Sequence, residues 1–337
     1  MAQINKSTDY FETTTYAGGT TSITSLNFSP DWVWAKKRTG AENHGIFDSV
    51  RGATKTINSN TTSAETTRGG SLTSFDSNGW SMGGADGIIS ASGNDYVAWA
   101  WRGSDSSAVS NTDGSITSTV SANTTSGFSI VSFTGTGATA TVGHGLGVAP
   151  KFFIIKNRSA VENWWTYTTV IDGSLDFLYL NNTNAKTDSG LSLPTSSVFS
   201  VNSSVAPTSE NIIAYCFAEK KGFSKFGSYV GNGNADGTFV YTGFKPAFIL
   251  VKQTNNTASW TILDNKRDSF NVTEKRLFPD DAGAEVVSAN GNTDFLSNGV
   301  KMRTSHIGIN GSGDSYIYMA FAENPLVGTN NIPATAR

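Results

Sequence analysis

The chain contains three histidines, the side chains most often used for proton transfer at neutral pH. A nucleophilic triad requires a histidine beside a serine or cysteine, and the candidates His44, His144 and His306 lie far apart in sequence. His44 occupies a position that holds tryptophan in two related stretches, so that position favours a large flat side chain. His144 lies in the glycine-rich turn VGHGLG. We therefore predict structural roles for all three and no catalytic residue.

Acidic residues recur at equivalent positions instead of forming an isolated pair. Asp48 and Asp264 each lie twelve residues after the lysine of a repeated phrase, and Glu219 and Glu323 each follow the letters FA. Glycoside hydrolysis needs two carboxylates about 5–10 Å apart in one cleft. A carboxylate that recurs with a repeat is expected to support the fold, through a salt bridge or a turn hydrogen bond.

Three turns place oxygen ligands beside glycine, as calcium loops do; they read DSNG, GNGNADG and NGSGD. None has the EF-hand spacing with its bidentate acid, so we interpret them as hairpin turns. The one cysteine, Cys216, excludes an internal disulfide and a cysteine-based zinc site. No helix pattern follows the glycine-rich stretch GTGATATVGHGLG to bind a phosphate. We expect no metal and no cofactor.

The elements that would position any site repeat along the chain. One apolar phrase occurs three times, as SPDWVWAKKR, APKFFIIKNR and KPAFILVKQT. Its lysines, Lys36, Lys156 and Lys252, each stand six residues after a proline. Each copy later closes on another apolar run, DYVAWAWRG, NIIAYCFAEKKG or SYIYMAFAEN. We predict that the three lysines occupy equivalent places on equivalent strands.

Short runs rich in Val, Ile, Thr and aromatic residues, separated by Asn-Gly and Ser-Gly turns, predict an all-β chain. The repeats divide it into three tandem, related β-sandwich units of jelly-roll type with Gly/Asn-rich hairpin turns; a barrel is the alternative. The predicted boundaries are 1–103 for the first unit, 104–126 for a Ser/Thr/Asn-rich linker, 127–222 for the second unit, and 223–337 for the third unit with a C-terminal tail. The linker could contain one edge strand, at GSITSTV.

The repeated strand is apolar on both faces. Side chains alternate across a sheet, so Trp32 and Trp34 share one face with Lys36, and Val33 and Ala35 share the other. A strand with one wet face would alternate apolar and polar residues. We therefore expect each unit to pack against its neighbours or across a homo-oligomer interface.

Composition excludes several classes of function. The 337 residues carry a net charge of −3, only 15% of them are charged, and no basic run occurs, which argues against nucleic-acid binding. No stretch of about 18 apolar residues offers a membrane span, and the first residues lack the apolar segment of a signal peptide. We expect a protein made in the cytoplasm and not inserted into a membrane.

Phrases that cover almost the whole chain carry a resemblance; they read INKSTDYFETTTYAGGTTSITSLNFSPDWVWAKKR, DSVRGATKTINSNTTSAET, LTSFDSNGW, NTDGSITSTVSANTTSGFSIVSFTGTGATATVGHGLGVAPKFFIIKNR and FAENPLV. They resemble the repeat-bearing virion proteins of tailed phages, especially phages of marine bacteria, which are called tail fibre or structural proteins. The resemblance implies an external virion component, contact with other virion proteins and a homotrimer. It assigns no catalytic residue, and the second and third units lack the DSVRGA phrase.

Two classes of function follow from these observations. The first is a non-enzymatic virion appendage, similar to a tail fibre, that attaches to a host-surface glycan or protein; a head fibre or capsid decoration protein is the alternative placement. The second is a glycan-degrading tailspike. For ligand contact the candidates are Trp165 and Tyr167 in NWWTYTT, because aromatic faces stack on sugar rings and the third unit lacks this second tryptophan. Core or interface packing is the other explanation for these rings.

Overall fold

The computed structural model describes residues 3–104, 106–328 and 333–335. The chain is all-β, with 43% of residues in strands and 3% in helices. Its helical segments are the 3₁₀ turns Ser7–Asp9 and Ala289–Gly291 and the short helix α1, Ile307–Asn310. None of the helices in the described ranges has the length and apolar character that crossing a bilayer requires.

The strands form three successions along the chain, and each succession contains one copy of the repeated phrase. The first comprises β1 (Phe11–Ala17), β2 (Ser22–Ile23), β3 (Trp32–Lys37), β4 (Gly45–Asp48), β5 (Lys55–Thr56), β6 (Thr66–Thr67), β7 (Leu72–Asp76), β8 (Gly79–Met82) and β9 (Asp95–Trp101). The second comprises β10 (Val109–Asn111), β11 (Ser118–Asn123), β12 (Phe128–Thr134), β13 (Ala140–Gly143), β14 (Phe152–Asn157), β15 (Trp164–Thr168), β16 (Asp176–Tyr179), β17 (Thr187–Asp188), β18 (Val198–Val201) and β19 (Asn211–Phe217). The third comprises β20 (Ser224–Val230), β21 (Phe239–Tyr241), β22 (Phe244–Gln253), β23 (Thr261–Asp264), β24 (Lys275–Arg276), β25 (Val286–Val287), β26 (Thr293–Leu296), β27 (Gly299–Met302) and β28 (Ser315–Pro325).

Each succession contributes one antiparallel main sheet. The strand orders are β1-β9-β3-β4 in the first main sheet, β12-β19-β14-β15 in the second and β20-β28-β22-β23 in the third. The second belongs to a larger sheet, which adds β10 and β11 at one edge and β16 and β17 at the other. Smaller sheets, β2-β8-β7, β13-β18 and β21-β27-β26, accompany the main sheets.

The repeated phrase forms the same strand of each main sheet, as predicted. Lys36 pairs with Val97 of β9, and the equivalent pairs are Lys156 with Ile213 and Lys252 with Ile317. The three lysines therefore lie in register on strands β3, β14 and β22. The SNG phrases also form the same hairpin twice, because Asp76 pairs with Gly79 and Leu296 pairs with Gly299 across two-residue turns.

Both faces of every main sheet are covered by other parts of the same chain. One face packs on its smaller sheet, in a peripheral core to which Val33, Ile155 and Val251 belong. The other face contributes to one central core that joins all three main sheets, including Trp34, Ile154 and Leu250. The apolar character of both faces in the sequence thus matches a three-sheet arrangement around a shared core. The division into three separate units at the predicted boundaries stays a prediction.

Aromatic rings make the central core continuous from one main sheet to the next. Trp32 stacks on Tyr215 of the second sheet with ring centroids 4.7 Å apart, and Phe11 stacks on Phe321 of the third at 5.1 Å. Phe217 closes the circle by meeting Phe321 at 6.1 Å. Burial of so many large rings in one place is the main source of the fold's stability.

Residues 104–126, predicted as a linker that could contain one edge strand, form two strands. Strand β11 pairs along its whole length with β12, and β10 pairs with β11. The segment has few apolar side chains, but two of them, Ile116 and Val120, are buried in the peripheral core of the second main sheet, which explains why it forms strands. Even a polar stretch joins a sheet when its few apolar residues have a core to enter.

Candidate functional site

The lysines of the repeated strand hold three extended segments, which we call arms: residues 55–67, 176–188 and 275–287. Each arm follows one main sheet and lies against the next, and each contains a two-stranded pairing, β5-β6, β16-β17 or β24-β25. Lys156 donates from Nζ to the carbonyl oxygen of Thr62 at 2.8 Å, and Lys252 donates to that of Thr183 at 3.1 Å. Lys36 donates to Ala282 of the last arm at 3.1 Å. The contacts therefore run in a closed cycle.

The three lysines are buried and stay within reach of backbone carbonyls. All three have no exposed surface, and burial lowers the pKa of Lys36, Lys156 and Lys252 to about 8. No carboxylate of the described residues forms a salt bridge with them. Their ammonium groups are satisfied by backbone carbonyls, which makes them structural clamps that have no route to a substrate.

Paired backbone hydrogen bonds repeat at the same three junctions. Glu162 N donates to Thr62 O at 2.9 Å, and Glu65 N donates to Arg158 O at 3.0 Å. The other two junctions have the same pattern, through Ala258 to Thr183 with Lys186 to Thr254, and through Glu42 to Ala282 with Glu285 to Arg38. Each arm is thus hydrogen-bonded to the loop that follows the lysine strand in the next main sheet.

The recurring carboxylates are held by arginines. Asp48 pairs with Arg51, and both side chains are fully buried. Arg51 also reaches Glu65 at 3.2 Å, and Glu65 accepts from Arg158 of the next sheet at 2.8 Å. Tyr215 donates from its hydroxyl to Asp48 at 2.7 Å across the central core.

The same network occurs at a second junction. Asp264 accepts from Arg267 at 2.6 Å, Arg267 reaches Glu285 at 3.1 Å, and Glu285 binds Arg38 of the first main sheet at 2.9 Å. At the third junction, Lys186 and Thr254 occupy the positions that glutamate and arginine hold at the other two junctions. These carboxylates are neutralised within the scaffold and do not face a cleft.

The histidines lie in three separate structural contexts. His44 is fully buried and accepts from Trp34 Nε1 at 3.0 Å, and burial lowers its pKa well below the usual value. His144 accepts from the backbone N–H of Leu146, and His306 accepts from that of Gly308. Each Nδ1 therefore serves a local hydrogen bond, and the three rings do not converge.

The two predicted ligand contacts differ in exposure. Tyr167 is 1% exposed and lies parallel to Phe153 with centroids 4.9 Å apart, so its ring belongs to the peripheral core. Trp165 is partly exposed, at the rim of that core, and packs on Phe177 at 4.8 Å and Tyr179 at 5.0 Å. Trp165 therefore retains surface for a ligand, whereas Tyr167 supports it from below.

The position of Trp165 is occupied by very different residues in the other main sheets. Trp165 pairs with Ile155, one residue before the buried lysine; its equivalents are Gly45, paired with Ala35, and Thr261, paired with Val251. A Cβ on Gly45 would lie 2.3 Å from Cγ2 of Ile88, so there a neighbouring side chain fills the space.

Neighbouring arm residues vary in the same way. The three arms can be aligned on one backbone pair between each arm and its own main sheet: Ile46–Ile57, Thr166–Leu178 and Ile262–Leu277. Together with the strand position, they define three sheet-edge triplets: Gly45, Thr56 and Asn58; Trp165, Phe177 and Tyr179; and Thr261, Arg276 and Phe278. The triplets are small and polar, aromatic, and mixed, respectively. Phe177, Tyr179 and Arg276 were not predicted from the sequence, because only the arm register brings them beside the strand.

No group of three or more His, Cys, Asp or Glu side chains suitable for a metal ion occurs among the residues that the structure describes. Comparison with known proteins gives one match: residues 6–325 match the family described as a domain of unknown function (DUF7483). No curated protein and no solved structure matches the chain.

Proposed function

The chain belongs to the DUF7483 family, and we propose that it is a non-enzymatic phage virion protein, displayed outside the particle, that attaches to a glycan or protein of the host surface. One observation carries the binding role. The position that binds each arm holds lysine in all three main sheets, as Lys36, Lys156 and Lys252. The sheet-edge triplets, in contrast, differ from one main sheet to the next. A rigid scaffold that carries variable edge residues is suited to recognition.

The aromatic triplet supplies the chemistry for a glycan. Trp165, Phe177 and Tyr179 are each partly exposed and lie within 5.4 Å of one another, measured between ring centroids. Aromatic rings offer large contact area at a low cost in conformational entropy. A sugar ring stacked on this platform would keep its hydroxyl groups in water.

The surface composition supports attachment through several weak contacts. Only 15% of the residues are charged, so the surface presents chiefly hydroxyl and amide groups, which exchange hydrogen bonds with sugars. Several copies of the chain on one particle can engage a repetitive surface together, and each added contact raises the overall affinity.

The virion placement rests on the resemblance of the long phrases to phage tail fibre and structural proteins. We also propose a homotrimer, because the same resemblance implies one. The apolar faces of the main sheets do not require it, since one chain covers them. Placement on the head, as a fibre or capsid decoration protein, is the alternative within the same class.

A glycan-degrading tailspike is the competing class. Among the described residues, the recurring carboxylates Asp48 and Asp264 are bound to Arg51 and Arg267 inside the fold. A general acid for glycoside cleavage must instead face the substrate and hold a proton near neutral pH. The non-enzymatic role is therefore the one that we propose.

One assay tests attachment and cleavage together. Purified protein is incubated with surface polysaccharide from the host bacterium, and both retention on the polysaccharide and release of oligosaccharides are followed. We expect retention without release. Oligosaccharide release that increases with time would establish the enzymatic alternative, and absence of retention on polysaccharide and on host cells alike would contradict attachment.

A further inference from the structure

The third sheet-edge triplet lies beside an open cleft. The cleft has a volume of about 330 Å³ and is lined by Thr261, Arg276 and Phe278 of the triplet, by His306 and Ile307, and by the short segment 257–259. In the second main sheet the position of Thr261 holds Trp165, whose indole packs against Phe177 and Tyr179. The third main sheet therefore has a small side chain beside the cleft where the second has an indole.

Arg276 is the charged group of this cleft. Its side chain is buried, with the residue only 6% exposed, and Nε has no hydrogen-bond partner in the described part of the chain. Within those residues Arg276 forms no salt bridge, and no aspartate or glutamate is among the residues that line the cleft. A buried cation without a counter-ion is unfavourable unless a ligand supplies the opposite charge.

The other buried arginines show how unusual this is. Arg51 and Arg267 have fully buried side chains and each binds two carboxylates. Burial lowers the pKa of Arg276, with no opposing contribution from a carboxylate. The surrounding protein therefore leaves this guanidinium available for an anion.

The remaining lining residues suit a sugar ring. The Arg276 guanidinium carbon lies over the Phe278 ring, 5.3 Å from its centroid, and Phe278 forms part of the cleft wall. Thr257, Ser259 and Thr261 add hydroxyl groups. His306 accepts from Gly308 N through Nδ1, so in the neutral imidazole Nε2 carries the proton.

From this geometry we infer that the cleft between Thr261, Arg276 and His306 binds an anionic saccharide, with the oxyanion on the Arg276 guanidinium and the sugar ring beside Phe278. An oxyanion can accept two parallel hydrogen bonds from a guanidinium. A uronate carboxylate and a sulfate ester share this chemistry. The choice of a saccharide rests on the proposed function, whereas the choice of an anion rests on Arg276 alone.

Saturation-transfer NMR on the full chain tests this inference with four probes: methyl glucuronide, glucose 6-sulfate, methyl glucoside and acetate. We expect at least one anionic sugar to bind at least tenfold more tightly than methyl glucoside and acetate. Preference for the glucuronide identifies a carboxylate site, and preference for the sulfated sugar identifies a sulfate site. Equal binding of methyl glucoside, equal binding of acetate, or no binding at all would overturn the inference.

Two variants link binding to the cleft. Arg276→Gln should reduce affinity for the anionic sugar at least tenfold, whereas the control Arg303→Gln removes an arginine of the same region that pairs with Asp294 outside the cleft and should leave affinity unchanged. Thr261→Trp should block binding by filling the cleft with the side chain that Trp165 already provides in the second main sheet. Thr261→Trp provides the test of the cleft if Arg276→Gln does not fold. Unchanged binding in a folded Arg276→Gln or Thr261→Trp protein would contradict the assignment.

The outcome is separable from that of the proposed function. Retention on host polysaccharide that persists in folded Arg276→Gln, without anionic-sugar binding by the wild type, would leave attachment intact and remove this site. Anionic-sugar binding by a protein that host surfaces do not retain would support the site and contradict the attachment role.

Discussion

Lys156 in the second main sheet donates a hydrogen bond to the carbonyl oxygen of Thr62, 94 residues earlier, at 2.8 Å. The equivalent contacts of Lys252 with Thr183 and Lys36 with Ala282 extend the relationship around the molecule. Each lysine binds the arm of one main sheet to the repeated strand of the next. A similar strand sequence therefore occurs three times because each copy contributes to the central core and also binds one arm.

Removing one clamp should destabilise the whole fold. Lys252→Met removes this donor from the carbonyl oxygen of Gln253 and from that of Thr183, which keeps the N–H of Ala258. The loss of these charge-assisted hydrogen bonds should cost about 1–3 kcal/mol. Urea unfolding measures the loss. Lys37→Met is the matched control, because Lys37 is only partly buried and its side chain forms no hydrogen bond or salt bridge among the described residues. Equal stability of the two variants would contradict the clamp role.

The clamps also predict how stability depends on pH. Burial lowers the pKa of Lys36, Lys156 and Lys252 to about 8 from a usual value of 10.5. Between these values the unfolded chain binds more protons than the folded chain, so the free energy of unfolding rises with pH. We expect greater stability at about pH 9.5 than at about pH 7.5.

Acidic groups with raised pKa values oppose this rise. Burial raises the pKa of Cys216 and of eight tyrosines, Tyr215 among them, so their ionisation in the unfolded chain lowers the free energy of unfolding as pH approaches and passes their usual values. The lysines dominate up to about pH 9.5, because few tyrosines of the unfolded chain are ionised below their usual pKa of about 10. Lys252→Met should show a smaller rise than the wild type between the same two pH values, and a stability that falls steadily over this range would contradict the lysine shifts.

Paired and unpaired buried arginines should respond differently to removal. Arg51→Met leaves the buried carboxylate of Asp48 without its cation, whereas Glu65 keeps Arg158, and should cost about 3–5 kcal/mol of unfolding free energy. Arg276→Met removes a buried charge that has no counter-ion among the described residues and should leave stability unchanged or raise it by about 1 kcal/mol. Denaturant unfolding of both variants makes the comparison. A similar large loss in each would show that Arg276 has a structural partner.

The aromatic triplet makes a separate prediction for attachment. Trp165→Ala should weaken binding to host cells or glycan without unfolding the protein, because the indole lies at the rim of its core and is partly exposed. Trp165→Phe keeps an aromatic face and should retain most of the binding. Unchanged binding by a stable Trp165→Ala protein would remove this site from consideration.

Folding should not depend on assembly, since the central core lies within one chain. The chain should keep its β-sheet circular dichroism spectrum when it is diluted until mass measurement shows only monomers, because assembly can raise the unfolding midpoint by mass action without being needed for folding. Loss of that spectrum on dilution would contradict folding of the single chain. Light scattering then tests the proposed homotrimer independently, because a mass near 35.7 kDa at every concentration would contradict it.

Local sequence patterns were sufficient to predict the main features of the scaffold. Alternation placed Trp34 and Val33 on opposite faces of one strand, and the six-residue spacing from proline placed the three lysines in register. Both features depend on residues close in sequence. The same pattern could not decide whether a neighbouring sheet or a second chain covers an apolar face, because the local chemistry of the two interfaces is identical.

The candidate sites depended on contacts that no local pattern reveals. Thr261 and Arg276 are fifteen residues apart and meet only because β23 and its arm share an edge through Ile262 and Leu277. Whether a buried arginine has a counter-ion is likewise a three-dimensional property. Trp165 was recognisable because a second tryptophan beside the repeated one departs from the other copies, whereas Tyr167 could not be distinguished from it without its burial.

The placement of the protein outside a phage particle is the central claim, and immunogold electron microscopy tests it most directly. Purified virions are labelled with an antibody raised against the folded chain, with and without prior absorption of the antibody by the free protein. We predict gold on the outside of intact particles, at the tail or on the head, that disappears after absorption. Intact particles that carry no label, while the same antibody detects the protein in infected-cell extract, would contradict the claim.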